Sequence, residues 1–137
     1  MAVHFQKEIQ VRFREADPAG IGFFAHVFTY AHDCFEDFVQ AAGFTWAEWF
    51  RNPEFAMPIR HTECNFLRPF FPGQTFQITA LVSKLGESSF QMKYIFSKDG
   101  QSHAEVMMTH VMISTQSKQA VSLPEFFRNR LKVYLNA

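Results

Sequence analysis

The sequence predicts an α+β fold in which an antiparallel five-stranded sheet curls around one long central helix. An alternating run near the amino end is followed by an apolar stripe of helical period, then by four more alternating runs on short turns, then by a short helical pattern. At 137 residues, 47% of them hydrophobic, the chain suits a single domain spanning 1–137 and is long enough to bury a core.

The first element is carried by Ile9, Val11 and Phe13 alternating with Gln10, Arg12 and Arg14, a period of two that predicts a half-buried strand. Pro18, Gly20 and Gly22 then break the pattern, and Asp17, standing before a proline, is pushed into extended or turn geometry. Val27, Tyr30, Ala31, Cys34, Phe35, Phe38, Val39 and Ala42 form one apolar stripe of a helix that stops near Gly43. Its other face carries His32, Asp33, Glu36, Asp37 and Gln40 and reads as solvated. Thr45 is placed to cap a short helix through Trp46, Glu48 and Phe50. Strands are expected at about 59–68, 75–84, 89–98 and 102–114, as an antiparallel meander, with Asp99-Gly100 a strong hairpin signal. Pro124-Glu125 opens a last helix with Phe127, Leu131 and Tyr134 at helical spacing.

Composition excludes several functions. Thirteen Lys and Arg balance thirteen Asp and Glu, so no basic field marks a nucleic-acid binder, and the zero net charge leaves no general barrier to self-association. Cys34 and Cys64 stand alone, without a CxxC, so neither a disulfide framework nor a structural zinc site is encoded. No secretory pattern opens the chain and no 18-residue apolar run follows, which reads as a cytoplasmic protein without a membrane partner. His26 and His32 are six residues apart, roughly 600° around a helix, so they do not share a metal, and none is expected. The 18 phenylalanines are mostly core or interface, while Phe23 and Phe28, nearest the loop, are candidates for an acyl or aryl pocket lining.

The most informative stretch is 13–30, FREADPAGIGFFAHVFTY. It sets Asp17 in a constrained turn just before the amino end of the long helix, where several N–H groups lack intrahelical partners. A carbonyl lodged there is polarised by N–H donors and the helix dipole while the carboxylate attacks it or activates water. The simple alternative is a turn residue with no chemical role.

Asp17-Pro18-Ala19-Gly20-Ile21, a two-residue spacer, then Phe24 and a helix resemble the signature of the 4-hydroxybenzoyl-CoA thioesterase group of hotdog-fold proteins. The Pro58-to-Pro69 strand, the Gly86-Glu87-Ser88-Ser89-Phe90 turn, Asp99-Gly100 and Ala104 extend the likeness over about the whole chain. The segment with His32 four residues before Glu36 is also similar to the dihydroxynaphthoyl-CoA hydrolase branch and to short acyl-CoA hydrolases. The resemblance implies a hotdog fold and hydrolysis of an acyl-CoA or aryl-CoA thioester at a site between subunits of a homodimer or homotetramer, with no cofactor. It puts the catalytic carboxylate on Asp17 and the oxyanion donor on the Phe24 backbone N–H, with Gly20 shaping the loop. Phe23, His26, Phe28, His61, Glu63, Ser88 and Ser89 are the expected substrate contacts. The sequence departs from the arylthioesterases at Gly86-Glu87-Ser88, which lacks the basic residues that hold CoA phosphates there; Arg68, Lys84, Arg128, Arg130 and Lys132 are the candidate replacements.

His61 and Glu63 share one face of a strand, either as a structural pair or to position water or a substrate group. Cys34 falls in the apolar stripe and reads as core, and no GxSxG elbow supplies a serine nucleophile. Two rivals remain at this level: a hotdog acyl-thioester dehydratase, which would need His26 or His61 in place of Asp17, and a non-catalytic acyl-thioester-binding protein.

Overall fold

The computed structural model describes residues 3–22 and 24–136. Strand β1 (Phe5–Gln10) is followed by a 3-10 turn at Phe13–Glu15, helix α1 (His26–Ala41), helix α2 (Trp46–Phe50) and strands β2 (Phe55–Ala56) and β3 (Ile59–Phe66). Strands β4 (Thr75–Leu85), β5 (Ser89–Lys98), β6 (Gln101–Val111) and β7 (Ile113–Ser114) and helix α3 (Glu125–Lys132) complete the chain. The main sheet is antiparallel with strand order β1-β4-β5-β6-β3, and β2 pairs with β7 beside it.

Local chemistry explains most boundaries. Thr45 and Glu48 cap α2 reciprocally: the Glu48 N–H donates to Thr45 Oγ1 at 3.1 Å and the Thr45 N–H to Glu48 Oε1 at 2.8 Å. Gly43 follows α1 in the left-handed region at φ 98°. Asp99 and Gly100, at φ 51° and 74°, make the tight β5–β6 turn that the dipeptide predicts.

Two expectations are corrected. The first strand does not run to Phe13: it ends at Gln10, because Glu15 Oε1 accepts the Arg12 N–H at 2.8 Å and closes a turn instead of a ladder. Val11 is still buried, but Phe13 points outward and is 90% exposed. Nor do the four later strands form a simple meander. β3 skips β4 and pairs with β6 at the far edge, from Ile59 opposite His110 to Phe66 opposite Ala104. The connection 67–74 then crosses the end of the sheet, bonding to His103, to Val11 and to Gly22 on its way to β4. A segment holding Pro69 and Pro72 is no hairpin, so it carries the chain across rather than back.

One sheet face packs on α1. Phe76, Ile78, Ala80 and Val82 of β4, Phe90, Met92, Tyr94 and Phe96 of β5, and Ala104, Val106 and Met108 of β6 meet Val27, Ala31, Cys34, Phe35, Phe38 and Val39. Cys34 is buried there and its thiol pKa is pushed up to about 12, so it is inert core, as its place in the stripe predicts.

His110 continues the same inward parity on β6 and is 1% exposed. Its ring stacks between Phe35, 4.5 Å away at 18°, and Phe90, 4.9 Å away at 7°. Among the described residues neither nitrogen reaches good hydrogen-bond geometry, and the Met57 backbone nearby favours the proton but is outweighed by burial. Burial first, then His32, brings the His110 pKa down to about 4. Because the unfolded chain titrates this residue near its ordinary value of about 6.5, the unfolded state binds more protons between these two values. Stability is therefore full above about pH 6.5 and falls as the pH drops toward 4, by on the order of 3 kcal/mol from this residue. Urea midpoints measured from pH 7 to 4.5 are expected to show this decline, and His110→Phe, which keeps the ring stack, to flatten it. An unchanged slope in the variant would assign the decline to other groups.

Candidate active site

The loop 16–22 is built around Asp17. The Asp17 N–H donates to the Ile21 carbonyl at 2.7 Å, and the Gly20 N–H donates to the Asp17 carbonyl at 2.9 Å. Asp17 Oδ1 accepts the Ala19 N–H at 2.9 Å and the Ile21 N–H at 3.4 Å, an Asx-type turn. Gly20 sits at φ 80°, a conformation costly for any residue with a Cβ, which explains glycine at the tip. The Gly22 N–H then bonds the Phe70 carbonyl at 2.6 Å and anchors the loop to the crossing segment. Among the described residues both side-chain bonds of Asp17 fall on Oδ1.

Asp17 lines a cavity of about 420 Å³. The loop side is Ile21, Gly22, Phe24 and His26, the helix side Val27 and Tyr30, and the far wall runs from Phe66 to Phe70. Phe24, 59% exposed, meets Phe66 edge-on at 6.5 Å between ring centres. α1 starts at His26 with Ala25 before it and, among the described residues, no side-chain cap, so backbone N–H groups contribute to the helix's positive end at the chamber. A mainly apolar chamber holding one carboxylate and a helix amino end suits an ester-like carbonyl with an aromatic or aliphatic tail.

The predicted residues divide into two groups. Asp17, Phe24 and His26 lie together in the cavity wall, and Gly20 closes the loop on the Asp17 carbonyl. Phe23 lies outside the described residues. Phe28 packs against the core and is not part of the cavity wall. His61 and Glu63 form an exposed pair at 3.5 Å on β3, away from the Asp17 chamber of their own chain. Ser88 and Ser89 are at the opposite end of the sheet, where Ser89 pairs with Val111. Of the basic candidates, Arg68 borders the cavity and donates to the Ser102 carbonyl at 2.5 Å. Arg128 is held instead by the carbonyls of Gly86 and Glu87, and Arg130 lies over Phe44 and Phe126.

Sequence reasoning missed two participants. Tyr30, counted only as part of the apolar stripe, lines the chamber, and its hydroxyl donates a short hydrogen bond to Glu15 Oε1. Glu15, at the end of the 3-10 turn, is buried, with 8% of its surface exposed. A second carboxylate two residues before Asp17 was the available signal.

The five-stranded antiparallel sheet packed on α1 defines a hotdog-type fold, with a carboxylate in the wall of its chamber. A profile of the thioesterase-like superfamily matches residues 11–131. The 1,4-dihydroxy-2-naphthoyl-CoA hydrolase of Gloeothece citriformis is 35% identical over 118 residues, which cover 84% of this chain and 82% of that protein. Its counterpart in Nostoc punctiforme is 32% identical over 115 residues, 84% of this chain and 78% of that protein. In fold, a crystal structure of a 1,4-dihydroxy-2-naphthoyl-CoA thioesterase from Synechocystis matches with a TM-score of 0.86 at 20% identity, over 95% of this chain and 96% of that one. The chain belongs to the thioesterase-like superfamily and is a thioesterase. The hydrolase reading thereby stands ahead of the dehydratase and of the protein that only binds.

Proposed function

We propose that the protein hydrolyses an aryl-CoA thioester to the free acid and CoA, with Asp17 as the catalytic carboxylate and the Phe24 N–H, at the amino end of α1, as oxyanion donor. The observation that carries this is the placement of Asp17 and that helix end in the wall of one mostly apolar chamber. Acting as nucleophile, Oδ2 adds to the thioester carbonyl carbon; the oxyanion collapses, the C–S bond breaks, and CoA leaves as a thiolate that takes up a proton. Water then cleaves the mixed anhydride. Acting as base, the same oxygen takes a proton from water as that water adds to the carbonyl, and later returns it to the departing sulfur. Both routes use the carboxylate in one place, with water as the only co-substrate and no metal or redox cofactor.

An aryl group is favoured over a plain alkyl chain because Phe24, Tyr30, Phe66 and Phe70 line the chamber, and because the relatives act on a dihydroxynaphthoyl thioester. Arg68, at the chamber's edge, is placed to meet a CoA phosphate. A second copy is expected to cover β3, an edge strand whose neighbourhood exposes Ile59, Phe66, Leu67 and Phe71. Among the described residues no helix is long and apolar enough to cross a membrane.

Free-thiol release tests the reading, across benzoyl, 4-hydroxybenzoyl, dihydroxynaphthoyl and straight-chain acyl-CoA, with the molar mass measured by light scattering in the same buffer. Aryl substrates are expected to exceed alkyl ones by at least about tenfold in kcat/KM, a difference of about 1.4 kcal/mol. Equal rates across the panel would remove the aryl preference, and a fully active monomer would remove the second copy.

A further inference from the structure

We propose that Glu15 and Tyr30 are positioning residues for hydrolysis, a clamp that holds the Asp17 loop in register with the amino end of α1. The inference rests on Asp17 as the reacting carboxylate and adds two residues to its machinery.

Glu15 ends the 3-10 turn, two positions before Asp17, and is almost fully buried. Its Oε1 accepts the Arg12 N–H at 2.8 Å and, in a short hydrogen bond, the Tyr30 hydroxyl. Tyr30 lies one turn into α1, its ring 6.4 Å from that of Phe96, and it forms part of the chamber wall. One oxygen therefore joins the end of the first strand, the approach to Asp17 and the helix that supplies the oxyanion site. Burial, with the Glu15 hydrogen bond second, raises the Tyr30 pKa, so the phenol remains a donor wherever the enzyme works.

The bonds within the loop set its shape, whereas the Glu15–Tyr30 bond sets its place against the helix. That distinction matters for this chemistry because the thioester carbonyl must meet carboxylate and N–H together, and a displacement of about 1 Å can cost on the order of 10²-fold in rate. A buried carboxylate is costly to desolvate unless it is hydrogen bonded, and its bonds are about twice as strong as those to a neutral acceptor. Such a group holds two chain segments more tightly than an apolar contact of the same size.

The test uses the full chain and the CoA thioester it turns over fastest. Tyr30→Phe removes one hydroxyl and leaves the ring against Phe96; kcat is expected to fall about tenfold, with KM within about twofold and the thermal midpoint within a few degrees. Glu15→Gln retains an acceptor oxygen and is expected to keep most of the turnover, while Glu15→Ala falls at least as far as Tyr30→Phe. The Glu15→Ala/Tyr30→Phe double variant is expected to lose no more than the worse single one. Wild-type kcat in Tyr30→Phe, or multiplying losses in the double variant, overturns the clamp. Amide exchange followed by mass spectrometry reads it without turnover: Asp17–Gly22 is expected to exchange faster in Tyr30→Phe while β4, β5 and β6 hold. Unchanged exchange overturns it as well. Asp17→Asn in the same series separates the two readings, since an active Asp17→Asn defeats the Asp17 mechanism while exchange still decides the clamp.

Discussion

Asp17→Asn is expected to lower kcat by about a thousandfold, or about 4 kcal/mol of transition-state stabilisation, while the fold survives. Both halves of that expectation come from the loop. The Ala19 and Ile21 N–H groups donate to Oδ1, and an asparagine oxygen accepts the same two bonds, so the turn keeps its shape. The substitution removes the charge and replaces the second oxygen with an amide nitrogen that neither attacks a thioester nor takes a proton from water. Thiol release should collapse while the circular-dichroism melt stays within a few degrees of wild type. Retained turnover would remove Asp17 from the mechanism; a collapsed melt would mean that the carboxylate charge supports the fold as well.

The largest effect on stability is expected at Phe35. The ring is 1% exposed, stacks on His110 at 4.5 Å and on Phe90 at 6.3 Å, and meets Trp49 edge-on at 5.6 Å. It thus ties α1, on which it sits, to α2 and the sheet. Phe35→Ala is expected to cost about 3–5 kcal/mol, from lost transfer energy and the cavity left behind. Against a typical total of about 5–15 kcal/mol, that leaves a marginal protein. The gap also opens one face of His110 to water, so the acid-side loss of stability should shrink in the same variant. Urea unfolding at pH 7 measures the first effect and repetition at pH 5 the second. A cost below about 1 kcal/mol would mean that the aromatic cluster repacks, and that its density is not what holds helix to sheet.

Much of the fold was legible because its signals are short-range. The stripe from Val27 to Ala42 could only be a helix, the Asp99-Gly100 pair could only be a tight turn, and Thr45 with Glu48 formed the cap their spacing implies. Asp17 was legible for the same reason, since proline and glycine around it confine the backbone whatever lies elsewhere. The misread features depend on long-range pairing. Alternation at Ile9, Val11 and Phe13 continued past the point where Glu15 captured the Arg12 N–H, so Phe13 was assigned to a face it does not share. Nothing local to β3 showed that it would pair with β6, nor that Ser88 and Ser89 would end up far from Asp17.

The sequence by itself determined the order of the main strands and helices, the buried stripe of α1, and the loop that offers a carboxylate beside a helix end. Periodicity and turn chemistry act within a few residues, so these features are encoded locally. Only the tertiary structure decided what each buried face meets. It carried segment 67–74 across the sheet to wall the chamber with Phe66 and Phe70, turned His110 between two rings, and brought Tyr30 to Glu15. Periodicity shows that a side chain turns inward; the path of the chain through space selects its partner, and that path is settled by packing between segments far apart in sequence.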